Sequence, residues 1–192
     1  MPAKYLPLGT MALVTSTNLA ADIFRTCYLE GEFLLRSGAT SREYFDKYLF
    51  ESCPELLRRV TRALVPFIPP ETEALAGLEL GGVPLAVMLS QFTDLPTVFV
   101  RKEAKAYGTS KFAEGIGVRG GRLLVIEDVV TSGGQLILSI RDLRSAGATV
   151  TDALCVIDRE AGGTSKLEVE GVALSELFTI SELKEAWSQE DR

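Results

Sequence analysis

From residue 74 onward, short runs rich in Val, Ile and Leu alternate with amphipathic stretches, and this alternation restricts the fold more than any other property of the chain. ALAGLEL, TVFVRK, RLLVIED, TVTDALCVIDR and VALSELF read as strands, and GGVPLAVMLSQF, SGGQLILSIRDLRSAG and TISELKEAWSQ as helices. Strands apolar on both sides need helices on both sides, so the pattern predicts an α/β fold with a central, mostly parallel sheet flanked by helices. In such sheets ligands sit beyond the carboxyl ends of the strands. Chemistry is therefore sought where each strand ends.

Upstream, Pro54 opens PELLRRVTRALVPFI, a helix with Leu56, Leu57, Val60 and Leu64 on one face and Pro66, Pro69 and Pro70 as stops. STNLAADIFRTCYLEG predicts a helix capped by Ser16 or Asn18, and GEFLLRSG with SREYFDKYLFE predicts a hairpin or extended pair. In the helix after residue 133, Leu136, Ile137, Ile140 and Leu143 turn inward and Gly147 is the stop; Thr179 or Ser181 caps the terminal helix. No repeat, low-complexity tract or linker divides the 192 residues, so one domain is expected over 1–192.

Composition removes whole classes of function. Lys plus Arg number 20 against 26 Asp plus Glu, a net charge of −6, which disfavours nucleic acid and acidic membranes as partners. With no histidine there is no Ser-His-Asp triad, His zinc site or imidazole shuttle. Cys27, Cys53 and Cys155 form no CxxC pair and read as buried thiols of a reducing compartment. No 18-residue apolar run and no compact signal-peptide core occur, so a soluble cytoplasmic protein is expected.

Three strand ends carry polar chemistry. RLLVIEDVVTSGGQ, residues 122–135, ends an apolar strand in Glu127 and Asp128 and then turns through Thr131, Ser132, Gly133 and Gly134 into a helix. Backbone N–H groups of such a turn converge on an anion, and the two acids suit hydroxyl groups, so a sugar phosphate satisfies both. TVFVRKEAKAYGTSKFAEG, residues 97–115, brings Arg101, Lys102, Lys105 and Lys111 against only one acid, Glu103, through position 111, and Gly108 and Gly115 soften the segment as a lid requires. ALCVIDREAGG, residues 153–163, places Arg159 before Gly162 and Gly163, a guanidinium suited to planar oxyanions. GIGVRG, residues 115–120, fits GxGxxG but precedes a strand instead of opening a helix, the wrong context for a dinucleotide.

VIEDVVTSGG resembles the phosphoribosyl-pyrophosphate (PRPP) motif of the type I phosphoribosyltransferases, and RKEAKAYG…EG is similar to the lid signature of the orotate phosphoribosyltransferase family, with Tyr107 where many members carry His. LELGGVPLA, residues 78–86, resembles the family's pyrophosphate loop, and GEFLLRSG its segment beside the base, with Arg36 where many members carry Lys. Together the likeness runs from about residue 18 to 180.

The resemblance implies the type I phosphoribosyltransferase fold with a small N-terminal hood and a mobile cationic loop. The N-terminal helix and hood would span about residues 1–53, the PRPP-binding core 54–180 and a terminal helix 181–192. It implies transfer of the phosphoribosyl group from PRPP to orotate, with Lys102, Lys105 and Asp128 catalytic. Arg101, Lys102, Lys105, Tyr107, Glu127, Asp128, Val129, Val130, Thr131, Ser132, Gly133, Gly134 and Gln135 would bind PRPP. Thr131, Arg159 and Arg36 would bind orotate, and Tyr44 or Phe45 could pack on the pyrimidine. Mg²⁺ is expected on the polyphosphate oxygens, with no side-chain metal site. A homodimer that shares its lid between subunits is implied as well. A phosphoribosyltransferase for another nucleobase and a PRPP-sensing regulator without turnover are the alternatives.

Overall fold

The computed structural model describes residues 18–34, 38–102 and 112–190. Helix α1 (Leu19–Cys27) begins at Asn18, whose side chain accepts a bond from the Ala21 N–H. An antiparallel hairpin follows, β1 (Tyr28–Leu34) and β2 (Thr40–Phe45), then a single helical turn α2 (Tyr48–Glu51) and α3 (Pro54–Leu64). The extended reading of SREYFDKYLFE therefore holds only through Phe45. Asp46 accepts the Tyr48 N–H and turns the chain into α2. Ser16 lies outside the described residues.

The remaining elements are β3 (Ala74–Leu78), α4 (Gly82–Thr93), β4 (Thr97–Val100), β5 (Ala113–Gly115), β6 (Arg122–Val130), α5 (Gly134–Ser145), β7 (Thr149–Asp158), α6 (Gly163–Val169), β8 (Ala173–Thr179) and α7 (Ile180–Glu190). One sheet takes them in the order β5-β4-β3-β6-β7-β8, parallel throughout except for β5 against β4. GIGVRG runs from the end of β5 towards β6 without opening a helix. Strand β4 closes at Val100, two residues before the expected end. Thr179 caps α7, as its hydroxyl accepts the Glu182 N–H while the Glu182 carboxylate accepts the Thr179 N–H.

Alternation along the strands feeds two cores. Leu75, Leu124, Ile126, Leu154 and Val156 face Ile23, Phe50, Leu56, Leu85 and Leu183, drawn from α1, α2, α3, α4 and α7. Ala76, Val98, Val125, Ala153 and Cys155 face Leu136, Ile140 and Leu143 of α5 and Leu167 of α6. Leu57 and Ile137 are only half-buried. Thr61 and Ser139 take buried places instead, and the Thr61 hydroxyl is satisfied by donating to the Leu57 carbonyl. All three cysteines are buried and unpaired. Among the described residues no helix is long and apolar enough to cross a membrane.

Two ties set the helices around the site. Buried Asp22 of α1 accepts bonds from Arg25 at 3.0 Å and from Arg59 of α3 at 2.8 Å. Arg25 in turn pairs with Glu190 and lies 5.4 Å over the Trp187 ring, fastening α1 to α7. The start of α4 packs directly on the sheet. A Cβ at Gly82 would lie 2.1 Å from the Ile126 carbonyl oxygen, and one at Gly77 would lie 2.7 Å from the Gly82 carbonyl oxygen.

Because the obstacle at Gly82 is backbone, Gly82→Ala is expected to cost about 1–3 kcal/mol in urea unfolding. Gly117→Ala, whose Cβ would meet nothing within 4 Å, is expected to stay within about 0.5 kcal/mol of the parent. Equal stabilities for the two variants would contradict this account of the α4 contact.

Candidate functional site

Strand β6 does not stop at its acids. It pairs with β7 through Val129–Ile157 and Val130–Asp158, so Glu127 and Asp128 stand inside the ladder and the turn begins only at Thr131. A cavity of about 480 Å³ opens there. Glu127, Val129, Val130 and the stretch Thr131–Gln135 form one wall, Glu79, Leu80 and Lys102 another, and Lys47 and Tyr48 a third. Gly133 adopts φ 72°, a left-handed conformation that suits glycine, and leads into α5. The turn is braced from behind by α6. A Cβ at Gly163 would lie 2.6 Å from the Val130 side chain and 2.8 Å from the Thr131 carbonyl oxygen, and Lys166 Nζ donates to the Ser132 carbonyl at 3.3 Å. The exposed Thr131 and Ser132 with the N–H groups that open α5 make an anion cradle.

Asp128 is the electrostatic centre. Its side chain has no exposed surface, and Lys47 Nζ lies 2.7 Å from Oδ1 and 2.6 Å from Oδ2. The Val129 N–H also donates to Oδ1 at 2.6 Å. Burial works to raise the Asp128 pKa, but hydrogen bonds from Glu127, Lys47 and Glu51 and the charge of Lys47 outweigh it and hold the group below its ordinary value. Two neighbours move the other way. Burial, then the hydrogen bond with Asp128 and its charge, push Glu51 up to about 9 and Glu127 well above the carboxylate range. The ionised form of Glu51 would leave its buried Oε1 without a donor, while a proton there is shared towards Asp128. Within the cluster Asp128 is thus held towards its charged form opposite Lys47, while Glu51 and Glu127 are pushed towards the protonated form. For Lys47, burial opposes the charge, but Asp128 and then Glu127 outweigh it and keep its pKa above the usual lysine value.

Gly81 makes this packing possible. A Cβ there would lie 1.7 Å from Asp128 Oδ2 and 2.7 Å from Glu51 Oε1. Only glycine lets the loop after β3 pass between the two acids.

A second cavity, of about 290 Å³, shares no lining residue with the first. Arg159 lines it with Phe24, Tyr28, Tyr44, Phe45 and Lys184. The Arg159 N–H donates to the Val130 carbonyl at 2.8 Å, so the guanidinium arises beside the end of β6. Its flanking acids are engaged elsewhere. Asp158 accepts from the Thr164 hydroxyl and the Glu160 N–H, and Glu160, at φ 56°, accepts from the Ser181 N–H and hydroxyl. Tyr44 stacks on Phe33 with ring centroids 5.4 Å apart and is exposed, whereas Phe45 packs against Phe24.

The structure therefore gathers Lys102, Glu127, Val129, Val130 and Thr131–Gln135 around one cavity, Asp128 beneath it and Arg159 in the second. Arg101 does not line either cavity, and its Nε is buried without a partner among the described residues. Lys105, Tyr107 and Arg36 lie outside the described residues. Lys47 and Glu51 escaped the sequence reading. Their one signal is an acid four residues after a lysine in DKYLFE, and nothing local connects it with a strand 81 residues away.

Residues 53–180 match the family model of a phosphoribosyl transferase domain. An orotate phosphoribosyltransferase of Nocardioides sp. is 49% identical over 174 residues, covering 91% of this chain and 97% of that protein. One of Methanocella arvoryzae is 44% identical over 153 residues, covering 80% and 87%. The crystal structure of orotate phosphoribosyltransferase from Aeropyrum pernix shares the fold with a TM-score of 0.78 at 31% identity, over 90% of this chain and 99% of that one.

The acid cluster makes stability depend on pH. Between the ordinary carboxyl pKa of 4.5 and about 9, the folded chain keeps a proton on Glu51 that the unfolded chain has lost. Stability from this group is complete below that window and falls as pH rises through it. Asp128 has the opposite sign, its contribution being lost only as pH falls below its ordinary pKa. Glu51→Gln removes the titration and keeps a donor, so its melting temperature relative to the parent is expected to rise from pH 5 to pH 8. An unchanged difference would exclude a protonated Glu51.

Proposed function

Because the chain belongs to the orotate phosphoribosyltransferases of the phosphoribosyltransferase family, we propose that it transfers the 5-phosphoribosyl group of PRPP to a ring nitrogen of orotate. The products are orotidine 5′-phosphate and pyrophosphate, on the route of pyrimidine biosynthesis to UMP. One observation carries this reading. The acids at the end of β6 run directly into the anion-binding turn of α5, and a guanidinium-bearing aromatic cavity opens beside them.

In the reaction the bond from the anomeric carbon to diphosphate oxygen breaks, pyrophosphate leaves with the electron pair, and the ring nitrogen forms the new bond as its proton is lost. Glu127 and Asp128 hold the ribose hydroxyls and favour the positive charge that builds on the sugar. Val129 and Val130 position the start of the turn, and Thr131 to Gln135 hold the 5-phosphate through N–H and hydroxyl groups. Arg101, Lys102, Lys105 and Tyr107 receive the diphosphate. Arg159, Arg36 and Thr131 orient orotate, whose carboxylate and carbonyls suit a guanidinium fork.

Mg²⁺ accompanies the diphosphate. Glu79 and Glu127 line the cavity and offer oxygen acceptors to the water shell that Mg²⁺ retains, a fit to a hard cation carried by phosphate. When bound, it neutralises phosphate charge. The enzyme acts in the cytoplasm as a homodimer that shares the cationic lid carrying Arg101, Lys102 and Lys105 between its subunits. A sedimentation experiment that found a fully active monomer would contradict the shared lid.

Loss of orotate absorbance with PRPP and Mg²⁺, against uracil and hypoxanthine controls, tests the acceptor. Turnover of a control base but not of orotate would overturn the assignment. Arg159→Ala is expected to raise the orotate KM at least about tenfold, the scale of one charge-assisted contact, while leaving the melting temperature in place. Lys105→Ala is expected to lower turnover at least about tenfold, since one electrostatic stabiliser is worth about 2.7–4 kcal/mol when fully placed. An unchanged rate at saturating PRPP would remove Lys105 from the mechanism.

A further inference from the structure

The ammonium of Lys47 occupies the place that a substrate hydroxyl needs. It bridges both oxygens of Asp128, whose Oδ1 also accepts the Val129 N–H and whose Oδ2 faces Glu51 across Gly81. On the reading proposed above, ribose hydroxyls must reach this carboxylate, so the ammonium has to withdraw when PRPP binds. Its backbone is not free to follow. Lys47 lies between Asp46, whose N–H donates to the Cys27 carbonyl at 2.8 Å, and α2, anchored by the fully buried Phe50. Only the four-carbon stem moves, and it already lines the cavity.

A lysine that leaves a carboxylate inside a pocket keeps its charge cheaply only if another anion receives it. PRPP brings that anion. Among the described residues lining the cavity, Lys47 and Lys102 are the cations, facing Glu79 and Glu127. We infer that Lys47 is a transferable counter-ion, which pairs with Asp128 before substrate binds and moves onto the diphosphate of PRPP when the ribose takes over the carboxylate. Lys47 is then a substrate-binding residue supplied by the junction of the hairpin and α2, apart from the cationic segment that follows β4. Glu51 stays in place beside Asp128 Oδ2, across Gly81, while the exchange proceeds.

The inference has a definite sign. A lysine that merely plugged Asp128 would compete with substrate, and removing it would tighten PRPP binding. A lysine that moves onto the diphosphate contributes to the complex, and removing it weakens binding.

Calorimetric titration of PRPP with Mg²⁺ is the test, on the parent, Lys47→Gln, Lys47→Met and Lys47→Arg, together with steady-state kinetics. The neutral variants are expected to bind PRPP about 10- to 100-fold more weakly, the scale of one charged hydrogen bond. Their orotate KM should change less than about threefold, and Lys47→Arg should recover most of the loss. PRPP affinity equal to or tighter than the parent's in the neutral variants would overturn the inference, as would failure of Lys47→Arg to recover any affinity. Collapse of the fold in both neutral variants would also overturn it, because it would make the lysine a structural element. A parent that bound PRPP but used another base would sink only the acceptor assignment; a parent that bound no PRPP would sink both.

Discussion

A carboxylate with no contact with solvent must be stabilised by its surroundings, and at Asp128 those surroundings draw on two separate stretches of the chain, residues 47–51 and 127–129. Leaving such a group uncompensated costs several kcal/mol, on the order of the penalty for any buried ion. Lys47 supplies the opposite charge and the Val129 N–H a fixed donor, with Glu51 and Glu127 packed alongside. Glu51 and Asp128 cannot lie as they do unless residue 81 lacks a side chain, and α4 cannot lie on β6 unless residue 82 does. The two glycines, the single turn of α2 and the end of β6 therefore form one interlocked unit. Its polarity is confined to the carboxyl edge of the sheet, while the rest of β6, from Leu123 to Ile126, is buried apolar core.

The same edge couples the two cavities. Val130 ends the wall of the larger one and accepts the N–H of Arg159, which lines the smaller. Phe45 lines the smaller cavity and Lys47, two residues on, the larger. Arg159 is thus one hydrogen bond from Val130, two residues after Asp128, and Phe45 is two residues before Lys47. Arg159 is fixed from behind because Asp158 and Glu160 direct their carboxylates to Thr164 and Ser181, away from the guanidinium. This ties the base-side cavity to α7, and through Arg25 and Trp187 to α1. The terminal helices hold the geometry of a site whose motifs all lie between them.

Much of this was legible in the sequence, for a physical reason. Strands β3, β4, β6 and the second half of β7 announce themselves because burial leaves apolar runs, the half-buried edge strand β8 carries a weaker one, and α4, α5 and α7 are legible because each follows a turn or cap signal and has an apolar face. The acid pair and the Thr131–Gln135 turn were legible because strand, turn and helix are contiguous and one motif contains the whole cradle. Strand β5 was not, since three residues paired at an edge carry no period. Helix α6 begins with two glycines and buries only Gly163 and Leu167, so its role as a brace depends on contacts with Val130 and Thr131 that no local pattern encodes. Lys47 and Glu51 failed for a similar reason. Their chemistry arises from α2 reaching across to β6, and within DKYLFE they read as an ordinary solvated pair.

The distribution of charge around the larger cavity suits the reaction proposed above, in which opposite charges develop at two ends of one bond. Acids lie at the end of β6, where that reading sets the sugar, and lysines stand on the facing walls, where it sets the leaving group. A uniformly basic pocket would bind the polyanion more tightly but would oppose positive charge on the sugar, strengthening the ground state more than the transition state. A uniformly acidic one would not admit it. On the exchange inferred above, Asp128 reconciles the two demands because Lys47 quenches its charge until a hydroxyl-bearing ligand replaces the ammonium. The site then becomes acidic under the sugar only when the sugar is present, and cationic towards the diphosphate at the same moment. Both changes follow from one lysine stem moving while the backbone that carries it stays packed against the core.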